Sequence, residues 1–241
     1  MDRQIYLAMA GAKATLQRQD VLANNLANAS TTGFRAELQA FRAVPVRGDG
    51  ASTRVYALES TVGHDNRVGP VQATGRPLDV ALQGQAWLAV QALDGTEAYT
   101  RAGALQVNAE GQLVTPGGMP VMGDGGPITL PAEASVDVAP DGSITTRIGK
   151  ERPQLAGRLK LVEPEGPLVR GVDGLFRAAD GDLTASPTAR LQSGALEGSN
   201  VSPVETMVAM IAAARQFEQQ MKVLQGAEQR EQTAARLLAP Q

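Results

Sequence analysis

The chain has 241 residues, enough for a sizeable core, and its 22 basic and 25 acidic side chains give a formal net charge of -3. This near-balance lacks the basic footprint of proteins that bind nucleic acid or an anionic membrane surface. The absence of cysteine excludes disulfides and thiolate metal sites, and the single histidine, His64, excludes a cluster of imidazole ligands. No apolar run approaches the roughly 20 residues of a membrane-spanning helix, so we expect the chain not to span a membrane.

The first predicted element is a helix over residues 1–28. Apolar or small residues recur there at alternating four- and three-residue steps, with Gln19 as one polar member, which is typical of a heptad seam. The members of this seam are Ile5, Met9, Ala12, Leu16, Ala23 and Leu26. Asn24, Asn25 and Asn28 predict the end of the helix, because asparagine favours caps and turns over helix interiors.

Two interpretations of these asparagines stay open, since Asn24, Asn25 and Asn28 could serve only as caps or could contact a neighbouring subunit. Gly33 is predicted to supply a turn. Phe34 is predicted either to anchor the segment that follows or to make an ordinary core contact within its own chain. We include all five residues in the candidate assembly site.

The middle of the sequence predicts strands. Residues 36–73, which contain several glycines, are predicted to be an extended arm, and residues 74–195 an antiparallel β-rich domain. The dipeptide Asp94-Gly95 predicts a two-residue hairpin between strands that begin at Trp87 and Thr96. Trp87 is expected in the core. Further strands are predicted at 112–115, 143–147, 158–162 and 182–185.

A second helix is predicted over residues 201–226, within a C-terminal region at 196–241. Ser202 suits the N-cap, Pro203 the first helical position and Glu205 the capping box. Between Met207 and Ala214 every side chain is apolar or small, which predicts burial on several sides. The candidate interface residues of this helix are Val204, Met207, Met210, Ile211, Ala214, Phe217, Met221 and Leu224.

Two lone helices cannot cover all of these side chains. Full burial of one large apolar side chain is worth roughly 1.5–3 kcal/mol. Half a dozen left exposed would forfeit about 10 kcal/mol, which is comparable with the stability of a domain. We therefore expect helices of other chains to complete the core, in an α+β fold whose discontinuous helical zone comes from both ends of the sequence.

No catalytic, cofactor-binding or metal-binding residues are predicted. The glycine-rich segment at 117–126 lacks the Gly-Lys-Ser/Thr ending of a phosphate loop. His64, with Ser60 and Asp65 nearby, lies in a glycine-flanked linker rather than in an oriented triad. An alternative from a different class is a soluble β-rich enzyme or binding module that dimerises through its helices. The aromatic content of 3% disfavours this alternative.

Several segments resemble the signatures of the bacterial flagellar rod and hook proteins. NNLAN at 24–28 with STTGFR at 30–35 is similar to the N-terminal signature, and SGALEGSNV at 193–201 to the C-terminal one. TGRPLDVAL at 74–82 and TRAG at 100–103 resemble the central β module. The opening MDRQIY is most similar to proximal-rod members of the family, although Ala29 and Leu105 depart from its common residues.

The resemblance implies a non-enzymatic subunit of the rod, the drive shaft of the flagellar basal body. The terminal helices, at 1–35 and 196–241, are expected to polymerise around an export channel with the β module outside, as torque-transmitting coiled coils. Implied partners are other rod proteins, copies of the chain and the flagellar export apparatus, which would export it unfolded to the periplasm without a cleaved signal. A distal-rod or hook-type protein of the same family is the alternative.

Overall fold

The computed structural model describes residues 2–45, 55–131, 134–179 and 181–238. Its α+β class confirms the prediction, because the chain begins and ends with a helix and has a long series of antiparallel strands between them in the sequence. Helix α1 spans Asp2–Ala27, and helix α2 spans Pro203–Leu238. Helix α2 continues through Gly226, whose lower helix propensity costs only about 1 kcal/mol relative to alanine.

Ser202 at the start of α2 and Asn28 at the end of α1 act as caps, as the sequence predicts. The N–H of Glu205 donates to the hydroxyl of Ser202 at 3.5 Å, and the N–H of Thr206 donates to the Ser202 carbonyl at 3.0 Å. At the end of α1, both the backbone N–H and the side-chain amide of Asn28 donate to the carbonyl of Asn24, at 3.1 and 2.9 Å. The Thr206 bond is the first ordinary bond of the helix, whereas the Glu205 bond satisfies an N–H of the first turn and the Asn28 bonds a carbonyl of the last turn, which helix ends otherwise leave open.

The chain divides into two compact units. The helical unit comprises the described residues within 1–29, 36–65 and 201–241, and the β unit comprises those within 30–35 and 66–200. Besides α1 and α2, the helical unit contains an antiparallel hairpin of β1 (Glu37–Pro45) and β2 (Val55–His64), with a register shift between Leu38 and Gln39. The two strands of this hairpin therefore account for half of the segment predicted as an arm.

The β unit is built from short strands. In chain order they are β3 (Val71–Ala73), β4 (Val80–Leu82), β5 (Trp87–Gln91), β6 (Glu97–Thr100), β7 (Gln106–Val107), β8 (Leu113–Val114), β9 (Met122–Gly123), β10 (Gly126–Pro127), β11 (Ser135–Val138), β12 (Ser143–Arg147), β13 (Gln154–Arg158), β14 (Leu161–Val162), β15 (Leu168–Arg170), β16 (Phe176–Ala178), β17 (Leu191–Ser193) and β18 (Ala195–Glu197). The largest sheet has the order β14-β5-β6-β16-β15, and β11-β12-β13 form a second. The pairs β4–β17 and β3–β18 join the beginning of this unit to its end.

The core of the β unit contains the expected tryptophan. Trp87 is buried, and its ring centroid lies 4.6 Å from that of Phe176. The Tyr99 hydroxyl donates to Glu97 at 2.8 Å and accepts the N–H of Leu183 at 2.6 Å. Burial raises the pKa of the Tyr99 phenol far above its ordinary value. Tyr99 therefore remains a neutral part of the core at any physiological pH.

Two predictions in this region were wrong. Residues 182–185 form no strand, because the N–H of Leu183 is directed to the Tyr99 hydroxyl rather than to a neighbouring strand. The hairpin after β5 has a three-residue loop, Leu93 to Gly95, because Ala92 still pairs with Thr96 through an N–H···O bond of 2.9 Å. Gly95, with φ of 83°, supplies the left-handed residue that such a loop requires.

Strand placement elsewhere follows the sequence more closely. The strand predicted at 143–147 is β12, and the one at 112–115 contains β8. The strand predicted at 158–162 is divided between β13 and β14, since Leu159 and Lys160 donate to Gly142 and Met122 respectively. The predicted strand is therefore interrupted where the backbone changes its hydrogen-bonding partner, at Leu159 and Lys160.

Candidate assembly interface

Small residues form the contact between α1 and α2 inside the helical unit. Ala8, Ala12 and Thr15 are buried on α1 at steps of four and three, and on α2 Thr206 and Ala213 are buried seven residues apart. Gly11 brings the two helices close, because a Cβ built there would lie only 3.1 Å from Nε2 of Gln220. The helices thus approach through a narrow seam of alanine, threonine and glycine.

This seam leaves large apolar side chains of α2 exposed. Val204 is 72% exposed and Ile211 56%, whereas Ala213 is only 1% exposed. Val204, Val208 and Ile211 follow at steps of four and three, and we call them the valine–isoleucine stripe. Met207 and Met221, both exposed, are two heptads apart with half-buried Ala214 midway between them. Helix α2 therefore presents apolar surface on more than one side.

Helix α1 also has an exposed apolar stripe. Tyr6, Met9 and Leu16 are exposed at helical spacing. Ile5 and Leu26 are half-buried, and Ala12 is buried. The α1 residues predicted as one interface consequently divide between the intramolecular contact and the exposed surface.

The predicted α2 residues divide in the same way. Met210, Phe217 and Leu224 are half-buried and recur every seven residues, with buried Ala213 three residues after Met210 and four before Phe217. Val204, Met207, Ile211 and Met221 are exposed. Between Met207 and Ala214, where α2 is apolar all round, the sequence gives no signal for which stripe α1 covers. The structure shows that α1 covers the stripe that contains Ala213.

The asparagines at the end of α1 have different environments. Asn25 is buried, and its side chain makes two hydrogen bonds with the backbone of Glu37: its amide donates to the carbonyl at 3.0 Å, and its Oδ1 accepts the N–H at 2.9 Å. Asn24 is exposed, and Asn28 is half-buried at the helix end. Asn25 therefore fixes the start of β1 against α1.

Gly33 and Phe34 lie in the β unit, after α1 has ended. Gly33 has a φ of 69°, and a Cβ at this position would be 2.3 Å from the carbonyl carbon of Arg101. The Phe34 side chain is buried, with the Arg170 guanidinium carbon 4.4 Å from its ring centroid. Gly33 supplies both the turn and the space for a close backbone contact, while Phe34 is enclosed by its own chain.

A buried charge cluster in the β unit was not identified from the sequence. Arg35, Arg101 and Glu197 are each at most 2% exposed. Arg35 Nη1 lies 2.7 Å from Glu197 Oε1, and Arg101 donates to Oε2 from Nε at 2.8 Å and from Nη2 at 2.5 Å. The remaining Arg101 hydrogen bonds go to backbone carbonyls of Leu82, Gly84 and Ala86.

Backbone groups complete this cluster. The N–H of Gly69 donates to Glu197 Oε1 at 3.0 Å, and the N–H of Gly33 donates to the Glu197 carbonyl at 2.8 Å. The sequence contained one signal for this cluster. Arg35, Arg101 and Glu197 are charged residues within segments that carry the family resemblance and otherwise consist mainly of small, apolar or uncharged residues. Their mutual contact could not be inferred from positions so far apart in the sequence.

The described part of the chain shows neither a metal site nor a membrane span. Its His, Asp and Glu side chains form no group of three placed to hold a metal ion. Neither α1 nor the described length of α2 is apolar enough over sufficient residues to cross a membrane. The exposed apolar stripes of the two helices remain the main candidate surface.

Three family models match the sequence. Residues 5–35 match the flagella basal body rod protein model, residues 81–146 the flagellar hook protein FlgE/F/G D1 domain, and residues 192–237 the flagellar basal body rod FlgEFG protein C-terminal model. Arg35 falls in the first match, Arg101 in the second and Glu197 in the third. The buried charge cluster thus joins all three matched regions.

Relatives align along almost the whole chain. The flagellar basal-body rod proteins FlgF of Salmonella typhimurium and Escherichia coli K12 are 51% and 50% identical to it, each alignment covering 99% of this chain and 99% of the relative. FlgG of Agrobacterium fabrum, also named a flagellar basal-body rod protein, is 32% identical over 94% of this chain and 96% of its own length. Identity is therefore higher to these FlgF proteins than to this FlgG.

Proposed function

The chain belongs to the flagellar basal-body rod proteins, and on that basis we propose that it is a structural subunit of the proximal rod, polymerising through α1 and α2. Its contribution is mechanical: helices of neighbouring subunits pack together into a shaft around the export channel and transmit torque. The assignment to the proximal rod rests on the 51% identity to a FlgF protein, against 32% to a FlgG protein. No catalytic activity forms part of this function.

The observation that carries the proposal is the exposure of apolar side chains on helices that already pack against each other. Val204, Val208 and Ile211 face away from the α1–α2 contact, as do Met9 and Leu16 on α1. Full burial of such a side chain is worth roughly 1.5–3 kcal/mol, and leaving it partly in water forfeits part of that energy. Neighbouring subunits that cover both stripes recover this energy, and methionine suits contacts with neighbours in slightly different settings.

The partners are copies of this chain and other rod proteins. A subunit that presents different surfaces to successive neighbours makes heterologous contacts, which extend into a helical polymer when the rotation does not close. Apolar stripes on both α1 and α2 fit such contacts, because one stripe can cover a different stripe of the next subunit.

The proposed location is the periplasmic part of the basal body, reached by export in an unfolded state through the flagellar apparatus without a cleaved signal. The absence of cysteine supports this route, because no disulfide can form before or after passage.

Site-specific cross-linking tests the proposal directly, because the natural chain has no cysteine. Ile211→Cys, labelled with a short linker that reacts with the thiol at one end and is photoreactive at the other, is expected to cross-link to a neighbouring subunit in isolated basal bodies. Leu93→Cys, at an exposed site in a hairpin loop of the β unit, serves as the matched control and is expected to remain uncross-linked. Cross-linking at Leu93 but not at Ile211 would contradict assembly through the helices.

A further inference from the structure

The last two strands of the β unit pair with its first two. Strand β17 lies against β4, with Leu191 opposite Leu82, and β18 lies against β3, with Ala195 opposite Ala73. Leu191 and Ala195 are almost completely buried. Residues 191–200, which we call the closing segment, therefore supply both backbone pairing and core side chains to strands that precede them by more than 100 residues.

The closing segment also supplies a buried negative charge. Arg101 is 1% exposed, and Glu197 is the one carboxylate at salt-bridge distance from it among the residues that the structure describes. Without Glu197, a folded β unit would hold the Arg101 guanidinium in its core with only carbonyl partners. A buried charge that has lost its counter-charge strongly destabilises a fold.

Arg101 cannot simply turn outward, because three backbone carbonyls depend on it. Its Nη1 and Nη2 donate to Leu82, Gly84 and Ala86, which surround the connection from β4 to β5. Exposing Arg101 would leave these carbonyls without that donor. The backbone conformation between β4 and β5 is consequently coupled to Glu197 through Arg101.

Glu197 holds two further segments. Its Oε1 accepts the N–H of Gly69, and its backbone carbonyl accepts the N–H of Gly33. A Cβ at Gly69 would lie 2.1 Å from the carbonyl oxygen of Gly198, so the chain around residue 69 is shaped to fit against the closing segment. One late residue thus joins the regions around residues 33, 69 and 101.

We infer that the closing segment controls folding of the β unit, which stays unfolded until residues 191–200 are available. Since chains are made from the amino end, the unit completes its fold only after most of the chain exists. For a subunit exported unfolded, this order delays stable tertiary structure until the closing segment has been synthesised. That consequence rests on the proposed function, whereas the folding inference itself does not.

Two shortened chains test the inference against the full chain. Chains 1–190 and 1–202 both lack α2 and differ only in the closing segment and the two residues that follow it. The single tryptophan, Trp87, is buried beside Phe176 and reports folding through its fluorescence. Chain 1–202 is expected to give the emission of the full chain and a cooperative urea transition, and chain 1–190 to give neither.

A peptide added in trans separates a missing segment from a chain that is merely damaged. Peptide 189–202 is expected to restore folded Trp87 emission to chain 1–190 in a saturable manner. The same peptide with Glu197→Gln is expected to need a concentration at least about 100-fold higher, because it leaves Arg101 uncompensated.

Several outcomes would overturn the inference. These are folded emission and a cooperative transition in chain 1–190 alone, loss of both signals in chain 1–202, and equal action of the two peptides. All measurements use dilute protein in solution and no other rod component. Failure of the folding inference is thus distinguishable from failure of the assembly proposal, which is tested by cross-linking in basal bodies.

Discussion

Arg101 directs two nitrogens of its guanidinium at a single carboxylate oxygen of Glu197, Nε at 2.8 Å and Nη2 at 2.5 Å, across a sequence separation of 96 residues. Arg35 approaches the other carboxylate oxygen at 2.7 Å. Arginine is suited to such a site because its rigid fork of donors serves a carboxylate and backbone carbonyls at once. The cluster fastens the segment that follows α1 to the segment that precedes α2.

Glu197→Gln is predicted to destabilise the β unit by about 3–5 kcal/mol, because the substitution keeps the shape but leaves two buried arginines without their carboxylate. Urea unfolding followed by Trp87 fluorescence measures the loss. Glu165→Gln, at an exposed position of the same unit, is the matched control and should change stability by less than about 0.5 kcal/mol. Equal stability of the two variants would contradict a structural role for the cluster.

Gly33→Ala is predicted to cost more than the roughly 1–2 kcal/mol of a left-handed backbone alone. The new Cβ would also overlap the backbone of Arg101, at 2.3 Å from its carbonyl carbon. Gly75→Ala separates the two effects, since Gly75 has a similar φ of 72° with no atom within 4 Å of its Cβ. Thermal or urea unfolding should show a clearly larger loss for Gly33→Ala, and matching losses would remove the close-contact explanation.

Ile211→Asp is predicted to abolish rod assembly while the β unit stays folded. The carboxylate would be buried without a partner in the contact between subunits, at a cost of several kcal/mol. Swimming of a strain that carries the variant, with electron microscopy of its basal bodies, measures assembly, and Trp87 fluorescence monitors the β unit. Leu93→Asp introduces the same charge at an exposed residue of the β unit and should leave motility intact.

Asn25→Ala is predicted to destabilise the helical unit by about 2 kcal/mol, because it removes a donor and an acceptor that serve the backbone of Glu37. Hydrogen exchange at the Glu37 amide should become faster in the isolated chain. Asn24→Ala, at an exposed position, is the control and should leave this exchange rate unchanged. An effect of Asn25→Ala seen only in assembled rods would favour the inter-subunit interpretation instead.

A small acid-dependent loss of stability is expected from Asp141. Hydrogen bonds from the backbone N–H and hydroxyl of Ser143, at 3.0 and 2.9 Å, hold the pKa of Asp141 below its ordinary 3.8. A carboxyl with a lowered folded pKa contributes stability above its unfolded pKa, and this contribution disappears as the pH falls through the folded value. The urea midpoint of the natural chain should therefore exceed that of Asp141→Asn at neutral pH, and the difference should shrink below about pH 4. A difference that is constant with pH would rule out the charge as its cause.

Local patterns in the sequence were sufficient to predict the two helices and several of the strands. The heptad spacing from Ile5 to Leu26, the capping sequence from Ser202 to Glu205 and the alternation around Trp87 each involve neighbours within a few turns or one strand. Helix and strand formation depends largely on such short-range relations. The α+β class, both helices and several strands could therefore be predicted, as could the family through its motifs.

Turn details and pairings needed the tertiary structure. The loop at Asp94 and Gly95 gained a third residue because the pairing of Ala92 with Thr96 set its length, and residues 182–185 lost a strand because Leu183 bonds to Tyr99. Each of these outcomes depends on a partner outside the local pattern.

By itself, the sequence determined that the two ends of this chain form helices with apolar seams on either side of a β-rich middle in the sequence. Only the tertiary structure decided that α1 covers the side of α2 that contains Ala213 and leaves Ile211 exposed, and that Arg35, Arg101 and Glu197 meet. Periodicity records which side chains share a face of one element. It contains no information on which face meets another element, since that choice depends on packing between residues distant in the chain.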